Sequence, residues 1–293
     1  MEQVNACKMV DSKDTSTISG LLLQDRKSCK YVQELVSLDK KNVKLDMNFG
    51  KFDNVKVEAS SKEGILFIRT EKFPLTTYHV GKPTSGQWWS IPNPDPILFP
   101  TEQVGLVVLN SDPLTFKVVT LSPLCGDYRA ANCYGYRCNI FDSRTWAWER
   151  ASYVMLPKGV LFVRPNESLV VNGLIHWLTT DGQVVVFDHE DETYRKFPIP
   201  EGVNCLKSSL IEFEGKLGLV TISEKEGKKQ LWAVLDNSRQ NHNWRLIKQQ
   251  NQDCTSIGIA DEESKVMKFS GFCAQNVFPF RSNLEPIRLE DGA

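Results

Sequence analysis

VNGLIHWL (171–178), VVVFD (184–188) and YRKFPIP (194–200) make one phrase: a glycine opening an apolar run, a second apolar run ending in Asp, and a third run carrying an aromatic residue. It returns at once as FEGKLGLV (213–220), LWAVLD (231–236) and NWRLIK (243–248), so Gly173 and Gly215 stand 42 residues apart. A self-similar period of about 40 to 50 residues built from strands is the mark of a propeller blade. The phrase therefore predicts an all-β chain, a β-propeller of four-stranded antiparallel blades.

Further copies lie on both sides. KEGILFI (62–68), TTYHVG (76–81) and QWWSIP (87–92) keep the same order. VGLVVL (104–109), FKVVTL (116–121), YRCNIFD (136–142) and TWAWER (145–150) read as one complete four-stranded unit. SGLLLQ (19–24) with YVQELV (31–36) offers a weaker copy at the front, and CTSIGIAD (254–261) with KVMKFSG (265–271) another at the back. The leading glycines, Gly20, Gly64, Gly105, Gly173, Gly215 and Gly258, are separated by 44, 41, 68, 42 and 43 residues. That spacing gives six blades, with five or seven as the alternatives. The long interval carries its excess around 151–169, where a loop or extra hairpin is expected. Terminal copies of a closed repeat are atypical, and the last blade often takes a strand from the other end of the chain. The tail FPFRSNLEPIRLEDG (278–292) is the candidate for that closing segment. Residues 1–17 are polar and aperiodic and are expected to be frayed, leaving 18–291 as a single domain. The segment around 28–40 also admits a short amphipathic helix.

Composition excludes several functions. Thirty-five basic against thirty-six acidic residues give a net charge of -1, which supplies no field to recruit nucleic acid or an anionic membrane. There is no signal-peptide pattern at the start and no run of about 18 apolar residues, so the expected location is intracellular, in cytoplasm or nucleus. Without secretion the sequon Asn166, Glu167, Ser168 is idle. Eight cysteines (7, 29, 125, 133, 138, 205, 254 and 273) include no CxxC pair. The nearest pair, Cys133 and Cys138, lacks a second pair to complete a zinc tetrahedron, so the cysteines read as small buried hydrophobes.

The conspicuous residues also read as architecture. Inner strands of a blade are buried on both faces, hence the unbroken VVVF and GLVVL runs. The leading glycines suit a crowded approach or a positive φ. Trp146, Trp177, Trp232 and Trp244 would fill the wedge between fanning blades, and adjacent Trp88 and Trp89 must point to opposite faces. Asp188, His189, Glu190, Asp191 and Glu192 lack the alternating ligands and glycine of a calcium loop and fit a solvated hairpin turn. His79, His176, His189 and His242 are isolated, and no nucleophile elbow, P-loop or GxGxxG is present. No catalytic, cofactor-binding or metal-binding residue is assigned, the protein is expected not to be an enzyme, and the partner-binding residues cannot be read.

The order NGLIHWL, VVVFDHEDETYRKFPIP, LIEFEGKLGLV, LWAVLDNS, NWRLIK resembles the F-box-associated interaction domain of plant F-box proteins, a kelch-like β-propeller region. The resemblance is strongest over 135–250, and SGLLLQ and QWWSIPNPDP extend it toward the start. It implies a non-catalytic substrate-recognition module of a cullin-RING (SCF-type) ubiquitin ligase, binding a target protein through its loops. Family members begin with a helical F-box that docks on the ligase adaptor. Only about 18 residues precede the first strand here, too few for an F-box of about 40 to 50 residues, so direct adaptor binding is not expected. The competing reading is a propeller enzyme or carbohydrate binder. That would need titratable groups converging on the central cavity.

Overall fold

In the computed structural model the described residues are 18–28, 30–37, 49, 52–72, 75–94, 101–124, 135–163, 168–223, 227–235, 243–251, 276–283 and 285–289. They form an all-β propeller of antiparallel sheets, five of which are present among them. Five is one of the counts left open by the glycine spacing. The sixth copy, 254–271, lies outside the described residues, as do residues 1–17.

The first sheet joins both ends of the chain. β1 (Ile18–Lys27) pairs on one side with β2 (Lys30–Ser37) and on the other with β20 (Asn276–Ser282), in register from Ile18 against Ser282 to Gln24 against Asn276. The C-terminal tail therefore supplies the closing strand. The stretch around 28–40 is strand through Ser37 and not helix. The long apolar run of β1, Leu21 to Leu23, is fully buried in this ladder, and β2 gains its partner there, which outweighs a weak helical pattern.

The next four sheets follow the chain in order. β3 (Val55–Ser60), β4 (Leu66–Lys72), β5 (Leu75–Lys82) and β6 (Gln87–Ile91) make the second blade. The third holds β7 (Gln103–Ser111), β8 (Leu114–Pro123), β9 (Gly135–Asp142) and β10 (Ala147–Arg150). Its outer edge is broken in two, since β11 (Val154–Met155) also pairs with β9, beyond the end of β10. The excess near 151–169 is thus partly an extra strand piece. β12 (Leu169–Val171), β13 (Leu174–Leu178), β14 (Gln183–Asp188) and β15 (Thr193–Pro198) form the fourth blade. β16 (Ser208–Phe213), β17 (Lys216–Ile222), β18 (Lys228–Val234) and β19 (Trp244–Asn251) form the fifth. The first strands β3, β7, β12 and β16 lie against one another in turn, as the inner strands of a propeller do.

Among the described residues the core forms four seams, each drawn from two neighbouring blades. Leu22, Phe278 and Phe280 meet Val55, Val57 and Leu66; Phe67 and Val80 meet Leu106 and Phe116; Val119 and Cys138 meet Trp177 and Phe187; Val184 and Val186 meet Leu217 and Val234. This explains the unbroken runs: along β14, Val184 and Val186 enter one seam while Val185 and Phe187 enter the other. Trp88 and Trp89 divide in the same way, one packing toward the first blade and one toward the third.

The phrase glycine marks the turn between first and second strands in three blades. Asn172 and Gly173 have φ of 50° and 74°, and Glu214 and Gly215 have 49° and 69°, the two positive values of a two-residue I′ hairpin. Gly20 and Gly105 are a different case, since both lie inside strands. A Cβ at Gly105 would sit 2.7 Å from the Ile175 side chain, so that glycine lets β7 approach the fourth blade. The turn of the third blade falls instead at Asp112 and Pro113.

Candidate functional site

An enzyme in the central cavity would need a cluster of titratable groups near the inner strands. Among the described residues one such cluster lies on β3 and β4; Lys117, Asp142 and Arg144 pair separately in the third blade, Arg144 Nη2 lying 2.6 Å from Asp142. Glu58, the extra residue of a β-bulge between Val57 and Ala59, accepts a 2.7 Å hydrogen bond from Lys56 Nζ. Its other oxygen lies 3.1 Å from Arg69 Nε, without hydrogen-bond alignment, and Arg69 Nη2 is 2.9 Å from Glu71. Burial works against the Arg69 charge, but Glu58 and Glu71 overcome it and hold the guanidinium above its ordinary range. Burial also pushes the neighbouring Tyr78 phenol up. A general acid or base must exchange a proton near neutral pH, and these shifts move both groups away from it. The four charges neutralise one another across the strands.

The described histidines are held by the blades around them. His79 lies inside β5 with Thr77 Oγ1 3.0 Å from one ring nitrogen and Ser90 Oγ 3.0 Å from the other, and its ring rests on Phe52. His176 sits in β13, its Nδ1 3.2 Å from the Leu169 carbonyl. His189 is buried at the blade 3 to 4 seam, where Lys117 donates to its carbonyl. Burial lowers the pKa of both His79 and His189, with Lys117 adding to the effect at His189. Both imidazoles are therefore neutral at pH 7. His242 lies outside the described residues.

The acidic stretch 188–192 is a hairpin turn joining β14 to β15. Asp188 Oδ1 accepts from the backbone N–H of Glu190 at 3.0 Å and of Asp191 at 3.4 Å, so that carboxylate organises its own turn. Cys138 is fully buried and burial pushes its thiol up to about 12, which makes it an inert packing residue. Cys133 lies outside the described residues. Among the described residues no three His, Cys, Asp or Glu side chains gather as metal ligands.

The tryptophans pin blades together. Trp177 is 1% exposed and packs against Phe162 and Phe187, as a wedge filler should. Trp232 and Trp244 pack into the blade 4 to 5 seam. Trp146 packs against the seam of the second and third blades from the turn before β10, at φ 52°, its ring meeting Phe116 and Phe141 edge-on. A second device recurs on the outer strands. Trp148 Nε1 donates to the Pro92 carbonyl of the preceding blade at 2.6 Å, and Trp244 Nε1 to the Pro198 carbonyl at 2.9 Å. In the fourth blade Tyr194 does the same work, its hydroxyl accepting from Met155 N at 3.1 Å.

What the architecture leaves unexplained is a rim of exposed apolar side chains across the third, fourth and fifth blades. Tyr153, Met155 and Leu161 are 45%, 48% and 48% exposed, and Leu206 is 67% exposed. Their backbone is held firmly. Met155 O accepts from Lys196 Nζ at 3.3 Å, and Leu161 exchanges hydrogen bonds with Thr180, N to Oγ1 at 3.1 Å and Thr180 N to O at 2.8 Å. Cys205 Sγ lies 3.3 Å from the Thr180 carbonyl, which brings Leu206 to the same rim. Lys158, Lys196 and Lys207 stand exposed around it. Single exposed apolar residues are ordinary, but several on one pinned edge mark an interaction surface. Three of the four belong to the irregular interval between Gly105 and Gly173. The signal in the sequence was ASYVMLPKGVLFV, apolar residues with no place in the blade phrase.

Comparison with known proteins follows the fold. A family described as F-box protein At3g26010-like, beta-propeller, matches residues 25–267. A candidate F-box protein of Arabidopsis thaliana, At1g20795, is 25% identical over 165 residues, 55% of this chain and 38% of that protein. The chain thus aligns with well under half the length of that relative. Solved structures with similar strand arrangements include a candidate 6-phosphogluconolactonase from Bacteroides fragilis (TM-score 0.40, 11% identity, 83% of this chain and 70% of that one). Another is the NanB sialidase from Streptococcus pneumoniae (TM-score 0.31, 14% identity, 66% of this chain and 30% of that one). Among the described residues no helix is long and apolar enough to cross a membrane.

Proposed function

The chain belongs to the At3g26010-like β-propeller family of F-box proteins, and from that premise we propose that it is a non-catalytic recognition module that captures a target protein on the rim formed by Tyr153, Met155, Leu161 and Leu206. The observation that carries this reading is their exposure, with the backbone of Met155 and Leu161 fixed by hydrogen bonds to the fourth blade. A pre-organised apolar surface loses little entropy when a partner covers it. The lysines around it favour a target whose apolar anchor is flanked by carboxylates. The titratable cluster on β3 and β4 is closed on itself in ion pairs, with Glu58 and Glu71 holding the Arg69 guanidinium above its ordinary range, which suits a structural role for it.

The family supports a setting in ubiquitin-dependent turnover, in which an F-box presents the captured protein to the ligase. In that setting residues 1–293 would supply the contact with the captured protein. The test is affinity capture from plant extract with the native chain and with a variant carrying Tyr153→Ser, Met155→Ser and Leu161→Ser. The variant should lose the retained protein at an unchanged melting temperature. A control with Val32→Ser and Leu109→Ser, two exposed residues elsewhere, should keep it. Equal retention by both variants would remove the rim from the proposal.

A further inference from the structure

Beyond β20, Asn283 and residues 285–289 are seated on the turns of the second and third blades in the manner of a bound peptide. Sheet closure ends at Ser282, paired with Ile18, so the residues that follow are additional to it. Gln87 reads the tail backbone with both ends of its amide: Ile287 N donates to Gln87 Oε1 at 2.7 Å, and Gln87 Nε2 donates to Ile287 O at 3.0 Å. Leu114 N donates to Arg288 O at 2.6 Å, and Leu114 bridges Leu289 in parallel. Lys82, only 3% exposed, donates to Asn283 Oδ1 and, at 2.7 Å, to Glu285 O. Thr84 Oγ1 donates to Asn283 O at 3.0 Å.

The side chains follow the alternation of a docked strand. Ile287 and Leu289 pack against the seam of the second and third blades, while Glu285, Pro286 and Arg288 stay exposed. Main-chain hydrogen bonds with alternate anchors are how proteins bind extended peptides. A buried ammonium and a bidentate amide aimed at backbone groups would accept any extended segment carrying the same two anchors.

We propose that the groove formed by Lys82, Thr84, Gln87 and Leu114 is a second recognition site, for an extended partner peptide of the pattern Glu-Pro-aliphatic-basic-aliphatic, occupied in cis by the chain's own Asn283 and residues 285–289. It is separate from the rim of residues 153–161, and the two tests fail independently. A partner segment would bind by displacing the tail. An intramolecular competitor acts at an effective concentration of about millimolar, so the full chain should bind such a peptide at least about tenfold more weakly than a chain from which the tail is removed.

The experiment uses a fluorescent peptide of residues 283–293, titrated by anisotropy into the full chain and into a chain ending at Ser282. Saturable binding to the shortened chain, weakening in the full chain, and loss with Gln87→Ala in the shortened chain are expected. A peptide with Ile287→Asp and Leu289→Asp should not bind. If the shortened chain does not fold, the full chain carrying those two Asp substitutions replaces it, since it loosens the tail while leaving β20 intact. No binding to either folded variant, or equal binding to the full and tail-free chains, would overturn the proposal and leave the tail as a structural strap only.

Discussion

At the scale of single residues, two glycines that look alike in sequence differ in what holds them. Gly173 has φ of 74° with only His189 Nε2 at 4.0 Å from a built Cβ, so a side chain there meets backbone strain and open space. Gly64 has the same φ, but its Cβ would also strike Ser282 and sit 2.7 Å from the Arg281 carbonyl of the closing strand. Gly173→Ala should cost about 1 to 2 kcal/mol, the price of a left-handed conformation alone. Gly64→Ala should cost more and loosen the joined ends of the chain; urea unfolding of both variants checks the order. Trp177→Ala should cost about 3 to 5 kcal/mol, because it empties a fully buried wedge between blades. A loss under about 1 kcal/mol in the same assay would argue against the filler role.

At the scale of elements, strands were legible wherever both faces are buried. VVVF (184–187) and GLVV (105–108) announce themselves because alternate residues enter opposite seams and leave no polar face. Edge elements were legible by their aromatic residues, as in QWWSIP, TWAWER, YRKFPIP and NWRLIK, but less sharply. β2 has one exposed face and admitted a helical reading beside the strand one, and the extra outer piece of the third blade, β11, follows no apolar period. The phrase glycine was read as one position although it is two: a turn at Gly64, Gly173 and Gly215, and a close approach at Gly105. The Asn172–Gly173 pair is itself a strong hairpin signal, and the hairpin falls there. The outer pins could not have been foreseen, since Pro92 and Pro198 carbonyls become acceptors only when blades stack. Trp244→Phe keeps the ring and removes the donor, and should cost about 1 kcal/mol in thermal or urea unfolding. An unchanged stability would show that the bond to Pro198 adds nothing to the seam.

At the scale of the whole molecule, blades that share seams should respond together to acid. Burial holds His79 and His189 below the ordinary value of 6.5, so the unfolded chain takes up protons first as pH falls through that value. Stability is therefore fully present above it and declines on acidification below it. The urea midpoint should be lower at pH 5.5 than at pH 7.5, and the difference should shrink in the His79→Gln and His189→Gln variants. A midpoint that stays constant would contradict the buried, neutral imidazoles. The candidate site was less legible than the fold because recognition uses residues that break the repeat, and a repeat can be read only from what recurs. The most direct test of the recognition account is cross-linking mass spectrometry on the captured target complex through surface lysines. The account predicts target cross-links at Lys158, Lys196 and Lys207 around the apolar rim, and a target joined only to lysines of the first two blades would contradict it.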